Sequence, residues 1–171
     1  MAKPNPPPDP ALLARLEQRV GRLHAKQRLG IEAEYEARIY GKTAALFALS
    51  AEIGAVLGGA PDADVAALRA YGMQIGMAFQ IIDDVLDFEA SGDVLGKPAG
   101  NDLRQGTITL PAMLYMERCG GAGDGADLLR RVVGGRATPD DLSAAVDVIR
   151  ASGVLGEASA AAEGWSAEAK Q

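Results

Sequence analysis

The stretch FQIIDDVLD, residues 79–87, places three aspartates within five positions of an otherwise oily run. Wound as an α-helix, it gathers Gln80, Asp83, Asp84 and Asp87 within about 100° of one another. Phe79, Ile81, Ile82, Val85 and Leu86 cover the rest of the circumference. A charge run is ordinarily a solvated helix face. Here apolar residues flank it on every other side, so the carboxylates are expected to form a narrow stripe directed into a cleft or a subunit contact. Like charges one turn apart destabilise an exposed helix by roughly 0.2–0.5 kcal/mol per pair. Something positive is therefore expected against the stripe.

The helix carrying it extends in both directions. Upstream, "GGAPDAD" breaks the chain at Gly58, Gly59 and Pro61, and Asp62 or Asp64 caps a helix that runs to about Phe88. Before the break lies a helix from near Glu32 to Leu57, and before that "ALLARLEQRVGRLHAKQR" repeats apolar residues at helical spacing. Residues 1–10, "MAKPNPPPDP", carry five prolines and read as an unstructured leader. Downstream, residues 89–108 hold Gly92, Gly96, Pro98, Gly100 and Gly106, too many breakers for regular structure, and form a long loop of the kind that carries function. Helices are expected again at Thr109 to Glu117, at Asp124 to Val133, after Thr138 as N-cap with Pro139 at the first helical position, and at about Leu155 to Ala169. Residues 11–171 thus form one all-α domain with no internal repeat.

Composition supports this reading and narrows the partners. A chain of 171 residues, 48% hydrophobic and only 5% aromatic, with 21 glycines, suits closely packed helices. A net charge of −6 argues against nucleic acid as a partner, because phosphate backbones require a basic face. Cys119 is the sole cysteine and His24 the sole histidine, so there is neither a disulfide framework nor a thiolate metal site. A reducing compartment, the cytoplasm, is expected. The longest oily run, Ala44 to Ala60, is short for a bilayer and contains Glu52, so no membrane span is expected.

Carboxylates without His or Cys nearby suit a hard cation, and Mg²⁺ takes one or two carboxylates together with waters and substrate phosphates. The stripe looks built for a metal-bridged diphosphate. Gly72 and Gly76, one and two turns upstream on nearly the same face, leave room for close helix packing or for a ligand. Lys42, beside Thr43 at the mouth of the apolar helix "YGKTAALFALSAEIG", and Lys97 on the Gly-rich loop are the cationic candidates; alone, Lys42 reads equally well as a snorkelling side chain, and a lone loop lysine such as Lys97 is usually just solvent-exposed. "GKT" is not a P-loop, because Glu36 stands where that motif needs glycine. Asp140 and Asp141 form the other acidic pair and are explained by helix capping.

"KTAALF", "FQIIDDVLDF" and "GKPAGNDLRQGTITLP", in that order, together resemble the trans-isoprenyl diphosphate synthase family, also called polyprenyl synthetases. The resemblance runs from about Tyr35 to Pro111 and continues through "SGVLGEASAAAEGW". It implies an antiparallel helical bundle of the isoprenoid-synthase type and a prenyltransferase that condenses an allylic diphosphate with isopentenyl diphosphate. It further implies that Asp83, Asp84 and Asp87 hold Mg²⁺, that Gln80 positions the cluster, that Lys42 and Lys97 neutralise the departing diphosphate, that Thr43 lies beside the allylic carbon, and that Asp102 assists from the closing loop. Homo- or hetero-oligomers are common in such a family.

The chain departs from the pattern in several places. The family's first aspartate-rich region and the arginines that follow it are absent, as are the last C-terminal helices, and Thr107 stands where many relatives have lysine, with Arg104 nearby. The expectation is a partial bundle matching the middle and later part of a longer enzyme, inactive alone. A non-catalytic or half-catalytic subunit of a heteromeric synthase is the alternative, with a terpene cyclase and a purely structural bundle behind it.

Overall fold

Glycine and proline punctuation divides the chain into helices. A computed structural model describes residues 32–89 and 99–170, and among them it contains no strand. The chain falls into two compact units, divided after Ala37. The described part of the first, residues 32–37, is helical; the second carries everything that follows.

A short π-helical turn, Tyr40–Ala44, leads into α1, Ala45–Leu57. α1 stops at Gly58, where the N–H groups of Gly59 and Ala60 turn back to the carbonyls of Val56 and Ala55, each at 3.1 Å, and satisfy the helix end. Pro61 follows, and α2, Asp62–Glu89, opens with Asp62 and Asp64 in its first turn, where the helix dipole favours acids. The four-residue connection folds α1 back along α2 as an antiparallel hairpin. Glycine sets how closely they approach: a Cβ at Gly72 would lie 2.6 Å from the Phe47 carbonyl oxygen, and one at Gly76 would lie 2.6 Å from Ala44 Cα.

The remaining helices are short: α3, Asn101–Arg104; α4, Leu110–Arg118; α5, Asp124–Val133; α6, Pro139–Ala151; and α7, Val154–Glu168. The core gathers Phe88 from the end of α2, Leu103 from α3, Ala112 from α4, Leu128, Leu129 and Val132 from α5, Ala145, Val146 and Ile149 from α6, and Val154 from α7. α6 starts with a reciprocal cap in which Thr138 Oγ1 accepts the Asp141 N–H at 3.2 Å and the Asp141 carboxylate accepts the Thr138 N–H at 2.9 Å. Capping therefore accounts for Asp141, and Asp140 lies in the same first turn, where the helix dipole favours acids. Arg150 of α6 reaches across to donate from Nε to the Phe88 carbonyl at 2.6 Å, closing the C-terminal end of α2.

The helices agree with the sequence reading to within a residue or two, apart from three particulars. Residues 89–108 are not wholly irregular, since α3 lies inside them. The apolar run of α1, Leu46 to Leu57, which reads from sequence as core packing or as the lining of a cavity, is largely exposed: Leu46 and Leu57 are 66% and 83% exposed, and Leu49, Ile53 and Val56 are exposed beside them. Two helices, Glu32–Leu57 and Asp62–Glu89, are long and apolar enough to cross a membrane by length and composition alone, because the first continues through the π-turn well beyond the run considered from sequence. The Pro-rich leader and the helix expected after it lie outside the described residues.

Candidate functional site

The acidic face of α2 is the face that packs. Glycines at 72 and 76 let the π-turn and α1 sit against its backbone, and the next residue along that line is Gln80. Gln80 and Asp84 are 2% and 3% exposed, as deep as Ile81 and Val85, whereas Phe79, Ile82 and Leu86 are exposed. The sequence reading set a polar stripe against an oily remainder. In the structure the polar stripe is partly inside and one apolar strip is outside. Buried polar groups need partners, and Gln80 supplies them: its Oε1 accepts from Thr43 Oγ1 at 2.5 Å, and its Nε2 donates to Asp83 Oδ2 at 3.1 Å and to Asp84 Oδ1 at 2.9 Å. One amide side chain thus ties the π-turn to two carboxylates.

Asp87 is engaged differently. Its Oδ1 accepts the Asn101 N–H and its Oδ2 the Asp102 N–H, both at 3.1 Å, and its own carbonyl accepts the Gly100 N–H at 2.9 Å. Gly100 adopts φ +73°, and a Cβ there would lie 2.5 Å from Val146 Cγ2, so only glycine fits this approach to the core. α3 thereby sets Asp102 among the stripe. Burial, followed by the charges of Asp87 and Asp84 and by that of Asp83, pushes the Asp102 carboxyl above its ordinary range, while the Lys42 ammonium pulls the other way.

The structure therefore gathers Lys42, Thr43, Gln80, Asp83, Asp84, Asp87 and Asp102 into one region. Lys97 lies outside the described residues. Arg104 is exposed and donates to Asn101 Oδ1 at 2.5 Å. The sequence reading missed the π-turn and the α3 anchor. The Gly-Asn-Asp run at 100–102 carried the signal for the second, being a helix start next to a residue suited to positive φ.

Among the described residues no group of three or more His, Cys, Asp or Glu side chains is arranged to hold a metal ion by itself. The donor set is all oxygen, and Asp83 is exposed beside the buried Asp84. Such a set fits a hard cation that brings waters and phosphate oxygens with it, the habit of Mg²⁺. The neighbouring Lys42 and the Thr43 hydroxyl are groups suited to an anionic, phosphorylated molecule.

Known proteins share this arrangement of sequence and fold. Residues 18–149 match the model of the family described as polyprenyl synthetase. A short chain isoprenyl diphosphate synthase from Methanothermobacter thermautotrophicus is 46% identical over 94 residues, which is 54% of this chain and 29% of that protein. A heptaprenyl diphosphate synthase component 2 from Geobacillus stearothermophilus is 51% identical over 79 residues, 46% of this chain and 25% of that protein. Among solved structures, a polyprenyl synthase from Caulobacter crescentus complexed with calcium and isoprenyl diphosphate superposes with a TM-score of 0.74 at 40% identity, over 81% of this chain and 42% of that one. The chain therefore spans between a quarter and a third of these two curated relatives and under half of that solved structure. Sequence and fold agree over most of its length, and the chain belongs to the polyprenyl synthetase family.

Proposed function

We propose that this chain supplies the allylic-diphosphate half of an isoprenyl diphosphate synthase site, in the condensation of an allylic diphosphate with isopentenyl diphosphate. The observation that carries the reading is the Gln80 bridge, which sets the Thr43 hydroxyl beside Asp83 and Asp84. Ionising an allylic diphosphate develops negative charge on the leaving group and positive charge on carbon. Lys42 and Lys97 neutralise the first, and the Thr43 oxygen, oriented by Gln80, faces the second. Asp83 and Asp84 would hold Mg²⁺ together with diphosphate oxygens. Bound there, the ion acts as a Lewis acid that stabilises the leaving diphosphate. Asp102 closes the region from α3. Matching between a quarter and a third of two curated relatives, the isolated chain is expected to bind without turning over.

A second reading, a half-catalytic subunit of a heteromeric synthase, is favoured by the exposed apolar face of α1 and by a relative named as component 2 of such an enzyme. Either way an oligomer in the reducing cytoplasm is the proposed setting.

Calorimetric titration of the purified chain with a non-hydrolysable allylic diphosphate analogue tests the reading. Binding is expected with Mg²⁺, is expected to vanish on chelation, and is expected to weaken by about tenfold or more in Asp83→Asn, since charge-assisted contacts are worth about 1.5–3 kcal/mol. Binding that ignores both Mg²⁺ and Asp83, or none at all from folded protein, would overturn it. Steady condensation of both substrates by the chain alone would overturn the inactivity.

A further inference from the structure

The three aspartates of the stripe do not share the same partners. Three consecutive main-chain N–H groups, those of Gly100, Asn101 and Asp102, all end on Asp87: the first on its carbonyl and the other two on the separate oxygens of its carboxylate. Gly100 in the left-handed region followed by the helical residues of α3 makes a concave run of amides, a geometry that binds anions. Its anion is already present, being Asp87 itself. Asp83 and Asp84 each accept from the Gln80 amide instead.

We infer that Asp87 is a positioning residue, the N-terminal cap that holds α3 and its Asp102 against the stripe, and not a ligand of the metal. The inference rests on the diphosphate reading for the purpose of that positioning but not for the cap itself. The positive φ of Gly100 and the burial of Leu103 in the core fix where α3 sits, while the Asp87 carboxylate fixes how its first turn is satisfied. Two carboxylate oxygens already accepting charge-assisted bonds gain less from a cation than the exposed Asp83 does.

The test uses the whole chain with Asp87→Ala, Asp87→Asn and Asp83→Asn. Hydrogen exchange of the 101 and 102 amides, measured without metal, is expected to accelerate by about tenfold or more in Asp87→Ala, to recover in part in Asp87→Asn, which keeps one acceptor oxygen, and to stay unchanged in Asp83→Asn. Binding of Mn²⁺ with inorganic pyrophosphate is expected to persist within about threefold in Asp87→Asn and to fall by about tenfold or more in Asp83→Asn. Unchanged exchange in both Asp87 variants, or a loss of Mn²⁺–pyrophosphate binding in Asp87→Asn equal to that in Asp83→Asn, would overturn the inference. If Asp87→Ala fails to fold, Asp87→Asn carries both measurements. Failure of every protein, the parent included, to bind Mn²⁺–pyrophosphate would sink the diphosphate reading, and the exchange data would still decide the cap.

Discussion

Asp102 bears the conflict among the residues of the site. Its carboxyl is partly buried and faces Asp87, Asp84 and Asp83, with the Lys42 ammonium opposing them, so its proton is held more tightly in the folded chain than in the unfolded one. The folded state then binds more protons between the ordinary carboxylate value of 3.8 and the raised one, and stability falls as pH rises through that window. Asp102→Asn is accordingly expected to melt higher than the parent at pH 7 without metal, and to lose that advantage below the ordinary carboxylate range. Thermal melts across pH check it; an advantage that grows on acidification would contradict the argument. Asp141 has the opposite sign. Hydrogen bonds from the Thr138 backbone and side chain, and then Arg131, pull its carboxyl down, so its contribution is present above the ordinary carboxylate value and lost on acidification. At this scale the sequence showed that Asp83, Asp84 and Asp87 share one side of a helix, because their spacing is periodic. It did not show that Gln80 sits at the centre, since burial of Gln80 depends on what packs across from it.

Among the elements, the contact of the π-turn and α1 with α2 is where small residues decide the geometry. A Cβ on Gly76 would strike the Ala44 backbone, whereas one on Gly54 has nothing within 4 Å. Gly76→Ala is expected to cost about 1–3 kcal/mol through overpacking, and Gly54→Ala to gain roughly 0.5–1 kcal/mol from helix propensity. Urea denaturation of both variants measures the difference, and equal effects would remove the role assigned to the crossing. Helix boundaries were legible because Gly58, Pro61, Pro111 and Thr138 are local signals. The π-turn was not, because a one-residue widening leaves no mark in an apolar run. Nor did α3 show in the periodicity, because a helix of four residues is too short to carry one, and only its Gly-Asn-Asp start left a mark.

Over the whole molecule, the side of α1 and α2 bearing Leu46, Leu49, Ile53, Val56, Leu57, Phe79, Ile82 and Leu86 remains exposed among the described residues. Apolar surface of this kind marks an interaction face. The purified chain is expected to sediment heavier as concentration rises, and Ile53→Lys with Leu57→Lys is expected to return it toward monomer; a concentration-independent monomer in the parent would refute this. The exposure of this face was not legible in the sequence, since hydropathy reports that a residue is apolar and not what covers it. The π-turn has a further consequence for the chain as a thread. Five residues at Tyr40–Ala44 wound more widely than an α-helix shift the angular phase of everything before them relative to everything after. Removing a single residue there would let the helix run on with perfect α hydrogen bonding, yet it would swing the buried Ile39 and the Arg38 that donates to the Ile108 carbonyl through about a quarter turn. The locally better helix would make the worse protein, so length in this segment is constrained even where residue identity is not.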